Sequence, residues 1–411
     1  MMSPFTRLFL FVALLAAGAA PICSVAGLTR SAPNRVHEEP YTVRIDRSLE
    51  KAGHYLLAQQ GDHGDWRSDV YGSFKDGDAL TPLVLHALLA VKPTPMLPEQ
   101  CHRGAEHLAG LIHSGSPGLT YPAYTASLSV VVLSRADFPH HRAARDAWLE
   151  YLCARQMTER LGWRRCDPQF GGWGYAKDLP FCPEPGRAVP ALHEPNLSAT
   201  VFALEASRAA GRRPTDAALQ DAKVFVQRCQ NFSDGQSDAK PPFDDGGFFF
   251  IHNDATRNKA GVAGMDKSGR TRYVSYGSTT ADGVRALLLC GLDCNDPRVV
   301  AAKNWLTAHF DSDHHPGAYP AARRGSRPAL DYYYCASLAQ AFHELVVRQA
   351  LPAGRTAQWA PTLAEGLLRR QGADGAWRNP SVDVREDDPL IATSFAILAL
   401  AMCREHLGDS R

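Results

Sequence analysis

The stretch Gln60-Gly61-Asp62-His63-Gly64-Asp65-Trp66-Arg67 returns near the other end of the chain as Gln371-Gly372-Ala373-Asp374-Gly375-Ala376-Trp377-Arg378, with five of eight residues identical. Each copy is followed, about a dozen residues later, by a long apolar run of helical periodicity. An internal repeat fixes the architecture before any local reading does. Between the copies lie related glycine-aromatic segments: Gly118-Leu119-Thr120-Tyr121-Pro122, Gly171-Gly172-Trp173-Gly174-Tyr175, Asp244-Asp245-Gly246-Gly247-Phe248 and Gly317-Ala318-Tyr319-Pro320. Six such turns imply six helical hairpins.

The apolar runs fit that count. Helices are expected over 80–91, 100–112, 124–134, 142–155, 197–210, 217–230, 279–290, 297–309, 332–348, 359–370 and 391–406, and no segment alternates as a strand does. Thr215-Asp216 and Asp296-Pro297 are helix-entry signals, and Gly211 and Gly291 are exits. Repeat units that cannot bury their own apolar face stack on their neighbours. Six hairpins closed on themselves give an all-α fold, a double-walled α6/α6 toroid. Gln60, Trp66, Gly172, Trp173, Gly247, Phe248, Gln371 and Trp377 are then structural: tight turns, an aromatic plug in the seam, and a glutamine amide tying loose ends of the preceding helix.

Ahead of the repeats, Arg7, the apolar run 8–20 and the small-x-small step Ser24-Val25-Ala26 have the layout of a secretory signal peptide over 1–26. A retained N-terminal helix and lipid attachment at Cys23 are the competing readings. Residues 27–44 read as a polar tether, leaving 45–411 as a single toroid domain. The chain is then exported, periplasmic or extracellular, with no membrane span in the mature form. A formal net charge of +1 gives no argument for nucleic acid. Export permits disulfides, and Cys166 with Cys182 is the first pair to test; Cys290, Cys335 and Cys403 fall inside apolar runs and read as small buried hydrophobes.

The Gln-x5-Trp turns, the Gly-Gly-Trp and Asp-Asp-Gly-Gly-Phe segments, and the run Glu386-Asp387-Asp388-Pro389-Leu390-Ile391-Ala392-Thr393 resemble the prenyltransferase/squalene-oxidase repeat superfamily. That superfamily holds triterpene cyclases and protein prenyltransferase β subunits. The resemblance spans about residues 45 to 406 and implies the α6/α6 toroid; its motifs mark seams, not reacting groups.

The family's chemistry is only partly present. A cyclase of this type is expected to carry a D-x-D-D acid, kept protonated by burial and facing aromatic rings. The nearest match is Arg385-Glu386-Asp387-Asp388, in which arginine replaces the first acid, and helix capping competes as the role of Asp387 and Asp388. A prenyltransferase zinc site implies an aspartate, a cysteine two residues on and a distant histidine. Asp331 matches the aspartate, Tyr333 stands at the cysteine position, and neither Leu390 nor Ile391 can serve as the histidine. No metal and no cofactor is expected. Tyr332, Tyr333 and Tyr334 point round more than one helix face and are candidate ligand contacts, as are His252 and the basic Arg323 and Arg327; core packing and a solvated loop are the plainer alternatives. No Gly-x-Ser-x-Gly elbow, His-Glu-x-x-His helix or phosphate-binding loop occurs.

The first functional expectation is a binding or structural module in the envelope without conventional cyclase or zinc prenyltransferase chemistry. The second is an enzyme or carrier for an isoprenoid or other apolar ligand in the central cavity. The third is a carbohydrate-active lyase or hydrolase on an α/α toroid. The partner classes are correspondingly an apolar small molecule, a glycan or an envelope protein.

Overall fold

The computed structural model describes residues 39–91, 97–113, 118–233, 241–351 and 358–408. The leader expected over 1–26, with Cys23, lies outside the described residues, as does most of the segment 27–44. The remainder of that segment is not all tether, because the first helix already starts at Tyr41.

Twelve α-helices are described: α1 (Tyr41–Ala58), α2 (Leu80–Leu88), α3 (Glu99–His113), α4 (Pro122–Leu133), α5 (Arg142–Cys153), α6 (Leu197–Ala209), α7 (Ala217–Arg228), α8 (Gly277–Leu289), α9 (Pro297–Ala308), α10 (Asp331–Val347), α11 (Trp359–Arg370) and α12 (Pro389–Gly408). Their sequences sort them into two walls. Odd-numbered helices carry one apolar stripe, such as Ile45, Leu49, Ala52 and Leu56 in α1 or Leu219, Ala222 and Val226 in α7. Even-numbered helices are buried nearly all round, as α4 is from Thr125 through Val130. A one-sided stripe suits an outer wall, and an all-round apolar surface requires neighbours on every side.

The packing follows. Helix α2 lies against α4, α4 against α6, α6 against α8, α8 against α10, α10 against α12, and α12 closes back on α2. Outside this ring α1 spans α12 and α2, α3 spans α2 and α4, α5 spans α4 and α6, α7 spans α6 and α8, while α9 backs α8 and α11 backs α12. The fold is the expected double-walled toroid. Since outer and inner helices alternate in direction, all six outer-to-inner connections emerge at one end of the ring. Helix α12 is long and apolar enough to cross a membrane, yet 61% of its apolar window is buried inside the toroid. One element departs from the helical pattern: β1 (Val262–Met265) and β2 (Thr271–Tyr273) form an antiparallel hairpin between α7 and α8.

The seams explain the repeated turn. The Trp66 indole N–H donates to Leu56 O at 2.7 Å, Trp173 to Leu152 O at 2.9 Å and Trp377 to Leu367 O at 2.8 Å, so the indole closes the end of the preceding outer helix. The glutamine instead reaches forward to the next outer helix. Gln60 Nε2 donates to Gln100 O at 2.7 Å, and Gln371 Nε2 donates to Ser48 O at 2.9 Å, which ties the last hairpin to the first. Gln156 and Gln230 do the same toward Ala218 O and Arg298 O, at 2.8 Å each. The backbone N–H of each plug is received by a threonine of the following inner helix: Thr81 for Trp66, Thr200 for Trp173, Thr280 for Phe248 and Thr393 for Trp377. The glycine with positive φ in the third and fourth turns is Gly171 or Gly246, one residue before Gly172 and Gly247. A Cβ on Gly172 would strike Pro195, and one on Gly247 would strike Ser275. Both Cys166 and Cys182 carry free thiols, whereas Cys290, Cys335 and Cys403 are buried free thiols in the core.

Candidate functional site

The inner wall encloses a cavity of about 610 Å³, within the usual range of small-molecule sites. Its wall is mainly aromatic and aliphatic. Leu80, Leu83, Tyr124, Leu128, Phe202, Ile391 and Phe395 come from inner helices, and Phe74, Tyr121, Tyr175, Phe250 and Val384 from connections at the mouth. The rings are ordered against one another. Tyr124 and Tyr175 stack at 5.6 Å with hydroxyls 3.2 Å apart, Phe202 meets Tyr124 edge-on at 5.1 Å, and Phe395 meets Tyr333 edge-on at 5.2 Å.

One carboxyl interrupts the apolar wall from a rigid helix. Asp282 on α8 is 1% exposed. It accepts from the Tyr333 hydroxyl at 2.7 Å, from Arg285 Nη1 at 2.9 Å and from the Ser337 hydroxyl. Tyr333 in turn shares a 2.6 Å hydrogen bond with Ser198. Burial pushes the Asp282 pKa up to about 6, against the opposing pull of Arg285, Ser337 and Tyr333. Burial also works against the Arg285 charge, but Glu205 and Asp282 outweigh it and hold that guanidinium above its ordinary pKa. Glu205 closes the network as a second, contacting partner of Arg285.

A second carboxyl, Glu386, reaches the wall from the last connection. It accepts from the backbone N–H groups of Tyr332 at 3.0 Å and Tyr333 at 2.8 Å and from Asn379 Nδ2 at 2.9 Å. It therefore receives the open N-terminus of α10. Burial raises its pKa to about 7.

Of the candidates expected from sequence, Tyr333 alone lines the cavity. Asp387 accepts from the Tyr71 hydroxyl at 2.5 Å, and Asp388 caps α12 through Leu390 N at 2.9 Å while receiving the Ser68 hydroxyl. Asp331 is held by a close ion pair with Arg370. The Tyr332 hydroxyl reaches Arg378 O, and Tyr334 donates to Asp311 O at 3.1 Å and stacks on His315. Arg323 braces the carbonyls of Ala255 and Thr256, and Arg327 that of His315. His252 sits between Phe225 and Phe249, with burial pushing its pKa down to about 3. Among the described residues no group of three His, Cys, Asp or Glu side chains could hold a metal ion.

Asp282 was missed because its helix reads as apolar, yet a signal was present. Ala281-Asp282-Gly283-Val284-Arg285 sets an acid and a base one turn apart inside a run with no other charge. Such a pair on a buried helix must face another partner, here Glu205.

No family model matches the chain, and no curated protein matches it in sequence. Solved structures do. A variant of the type II terpene cyclase MstE from Scytonema, in complex with geranylgeranyl dihydroxybenzoate, superposes with a TM-score of 0.56 at 12% identity, over 89% of this chain and 99% of that one. The likeness is one of fold, the α/α toroid that this cyclase also has. The toroid is equally similar to the GH76A α-1,6-mannanase of Salegentibacter, whose inactive variant with α-1,6-mannotetrose aligns at TM-score 0.57 and 12% identity, covering 87% of this chain and 98% of that one. At such identity the likeness concerns the fold, and this fold hosts both chemistries.

Proposed function

We infer that the toroid is an enzyme that takes an isoprenoid-type polyene into its central cavity and starts its reaction by protonation from Asp282. The observation carrying this reading is a buried carboxyl, raised to about 6, opening onto a cavity walled by aromatic faces. The cyclase likeness, in a complex with a geranylgeranyl compound, agrees with it.

The chemistry follows from the surroundings. In the protonated form the Asp282 O–H bond breaks toward an alkene carbon, whose π pair forms the new C–H bond and leaves a carbocation on its neighbour. The carboxylate left behind is met by Arg285, Ser337 and Tyr333, donors already in place. The cation passes along the faces of Tyr124, Tyr175, Phe202 and Phe395, whose quadrupoles attract positive charge. Loss of a proton from the adjacent carbon to water at the mouth restores a double bond.

Glycoside hydrolysis is the second reading, prompted by the mannanase likeness. It fits less well, since much of the wall, with Leu80, Leu83, Leu128, Ile391 and Phe395, offers sugar hydroxyls no hydrogen-bond partner. The deciding experiment incubates the protein with geranylgeranyl substrates and follows products by mass spectrometry. Asp282→Asn is expected to bind the polyene and return it unchanged. Unimpaired conversion by that variant, or binding of mannan oligosaccharides in place of polyenes, would sink the reading.

A further inference from the structure

Six acidic and basic side chains reach the wall of the apolar cavity: Arg257, Lys259 and Arg385, and against them Asp282, Asp383 and Glu386. Their commitments differ. Asp282 is engaged by Arg285, Glu386 by the α10 amides, and Arg257 by Asp254 at 3.2 Å. Lys259 and Arg385 remain, and the third acid of the wall, Asp383, is exposed.

Lys259 follows the Asn258 turn of the connection between α7 and α8. Its ammonium donates no hydrogen bond and joins no ion pair among the described residues. Burial lowers its pKa, Asp383 and Glu386 act the other way, and Arg323 adds to the burial effect. Lys259 and the 383–386 segment line the same cavity.

Arg385 is held from that segment in an unusual way. Its backbone has φ +69°, a left-handed conformation that costs a non-glycine residue free energy. Its guanidinium lies 5.4 Å from the Tyr71 ring centre, 5.1 Å from Phe74 and 5.5 Å from Tyr121. The Tyr121 hydroxyl accepts one of its five N–H groups. Aromatic faces fix the plane of a guanidinium but leave its edge donors unspent. Thus one cation is clamped and one makes no hydrogen bond, both on a wall whose buried acids, Asp282 and Glu386, are already held by other donors and whose third acid, Asp383, is exposed. Cations in such surroundings are costly unless something answers them.

We propose that Lys259 and Arg385 form a subsite for the anionic oxygen head group, carboxylate or diphosphate, of an amphiphile whose apolar chain fills the cavity. The proposal rests on the polyene reading of that cavity. It also sets the binding direction: head at the mouth, chain inward toward Asp282.

The test uses three probes with one chain, namely geranylgeraniol, geranylgeranoic acid and geranylgeranyl diphosphate, titrated calorimetrically into the full-length protein. Charged hydrogen bonds lead to an expectation that one or both anions bind on the order of tenfold to a hundredfold tighter than the alcohol. The advantage should shrink with added salt, and the preferred anion identifies the head group. Lys259→Met and Arg385→Met should each remove much of the anion's advantage and leave the alcohol's affinity unchanged. Equal binding of alcohol and anions by the unmodified protein would overturn the subsite while leaving the cavity reading intact. Variants that weaken the alcohol as much as the anions would assign both residues to structure alone. Binding of none of the probes would remove the cavity reading, and the subsite with it.

Discussion

At the scale of single residues, the Asp282–Arg285–Glu205 network decides what the cavity can do. Two acids share one buried guanidinium, so the members are not equivalent. Asp282→Asn leaves Arg285 paired with Glu205, whereas Arg285→Met strands two carboxylates where burial has already raised one to about 6. Removing the common partner of a buried network costs about 3–5 kcal/mol. Arg285→Met should therefore lower the urea midpoint by that equivalent, and Asp282→Asn by clearly less; equal losses would show that the acids do not share the cation. Activity should follow the protonated acid. The folded Asp282 holds its proton below about 6, so turnover is expected to be greatest in acid and to fall as pH rises through that value. A rate that climbs over the same range would assign the carboxylate a base's role. The sequence allowed an acid on the inner wall but pointed to Asp387 and Asp388, because an acidic run before a helix draws the eye. Capping is the common use of such a run, and Asp388 is so used.

At the scale of elements, the turns were the most legible part of the chain, since their chemistry is local. Gln, Gly and Trp recur at fixed spacing, and three dimensions corrected the direction of the glutamine and moved the left-handed glycine one residue earlier in two of the turns. Gly375 has φ +92°, and a Cβ there would lie 2.7 Å from Lys51 O on α1. Gly375→Ala should thus cost at least about 1–3 kcal/mol, from the left-handed backbone and from the push on α1. Gly110 on α3 has open space where a Cβ would go, and Gly110→Ala should stabilise by about 0.5–1 kcal/mol through helix propensity. Chemical denaturation of the two variants gives opposite signs if turn geometry, rather than glycine content, holds the seams. Trp377→Phe keeps the plug but deletes the bond to Leu367 O; leaving that buried carbonyl unanswered should cost about 1–3 kcal/mol. The β1–β2 hairpin was not legible. Its strands hold only Val262–Met265 and Thr271–Tyr273, too short to display alternation.

At the scale of the whole molecule, ring closure separates this architecture from an open solenoid, and the repeated ends of the sequence announced it. What fills the ring was hidden, because cavity-lining side chains come from all six inner helices and from connections with no common motif. Closure also makes a prediction about size. Helix α12 packs against α10, α11, α1 and α2 at once, and the last hairpin is fastened to the first by Arg404 to Asp46, Arg44 to Glu365 and Gln371 to Ser48. A chain ending after Leu351 would expose the apolar faces of α10 and α2 together and leave α1 with one wall of neighbours. In a linear stack, loss of a terminal repeat removes one interface and the remainder stands. In a ring it removes two, and the exposed faces are inner-wall surfaces never adapted to water. The truncated protein is expected to aggregate or to lose cooperative unfolding in calorimetry, while the full chain unfolds in one transition. A monomeric, cooperatively folding fragment would mean that the hairpins stand as a solenoid and that closure serves the cavity, not the stability of the fold.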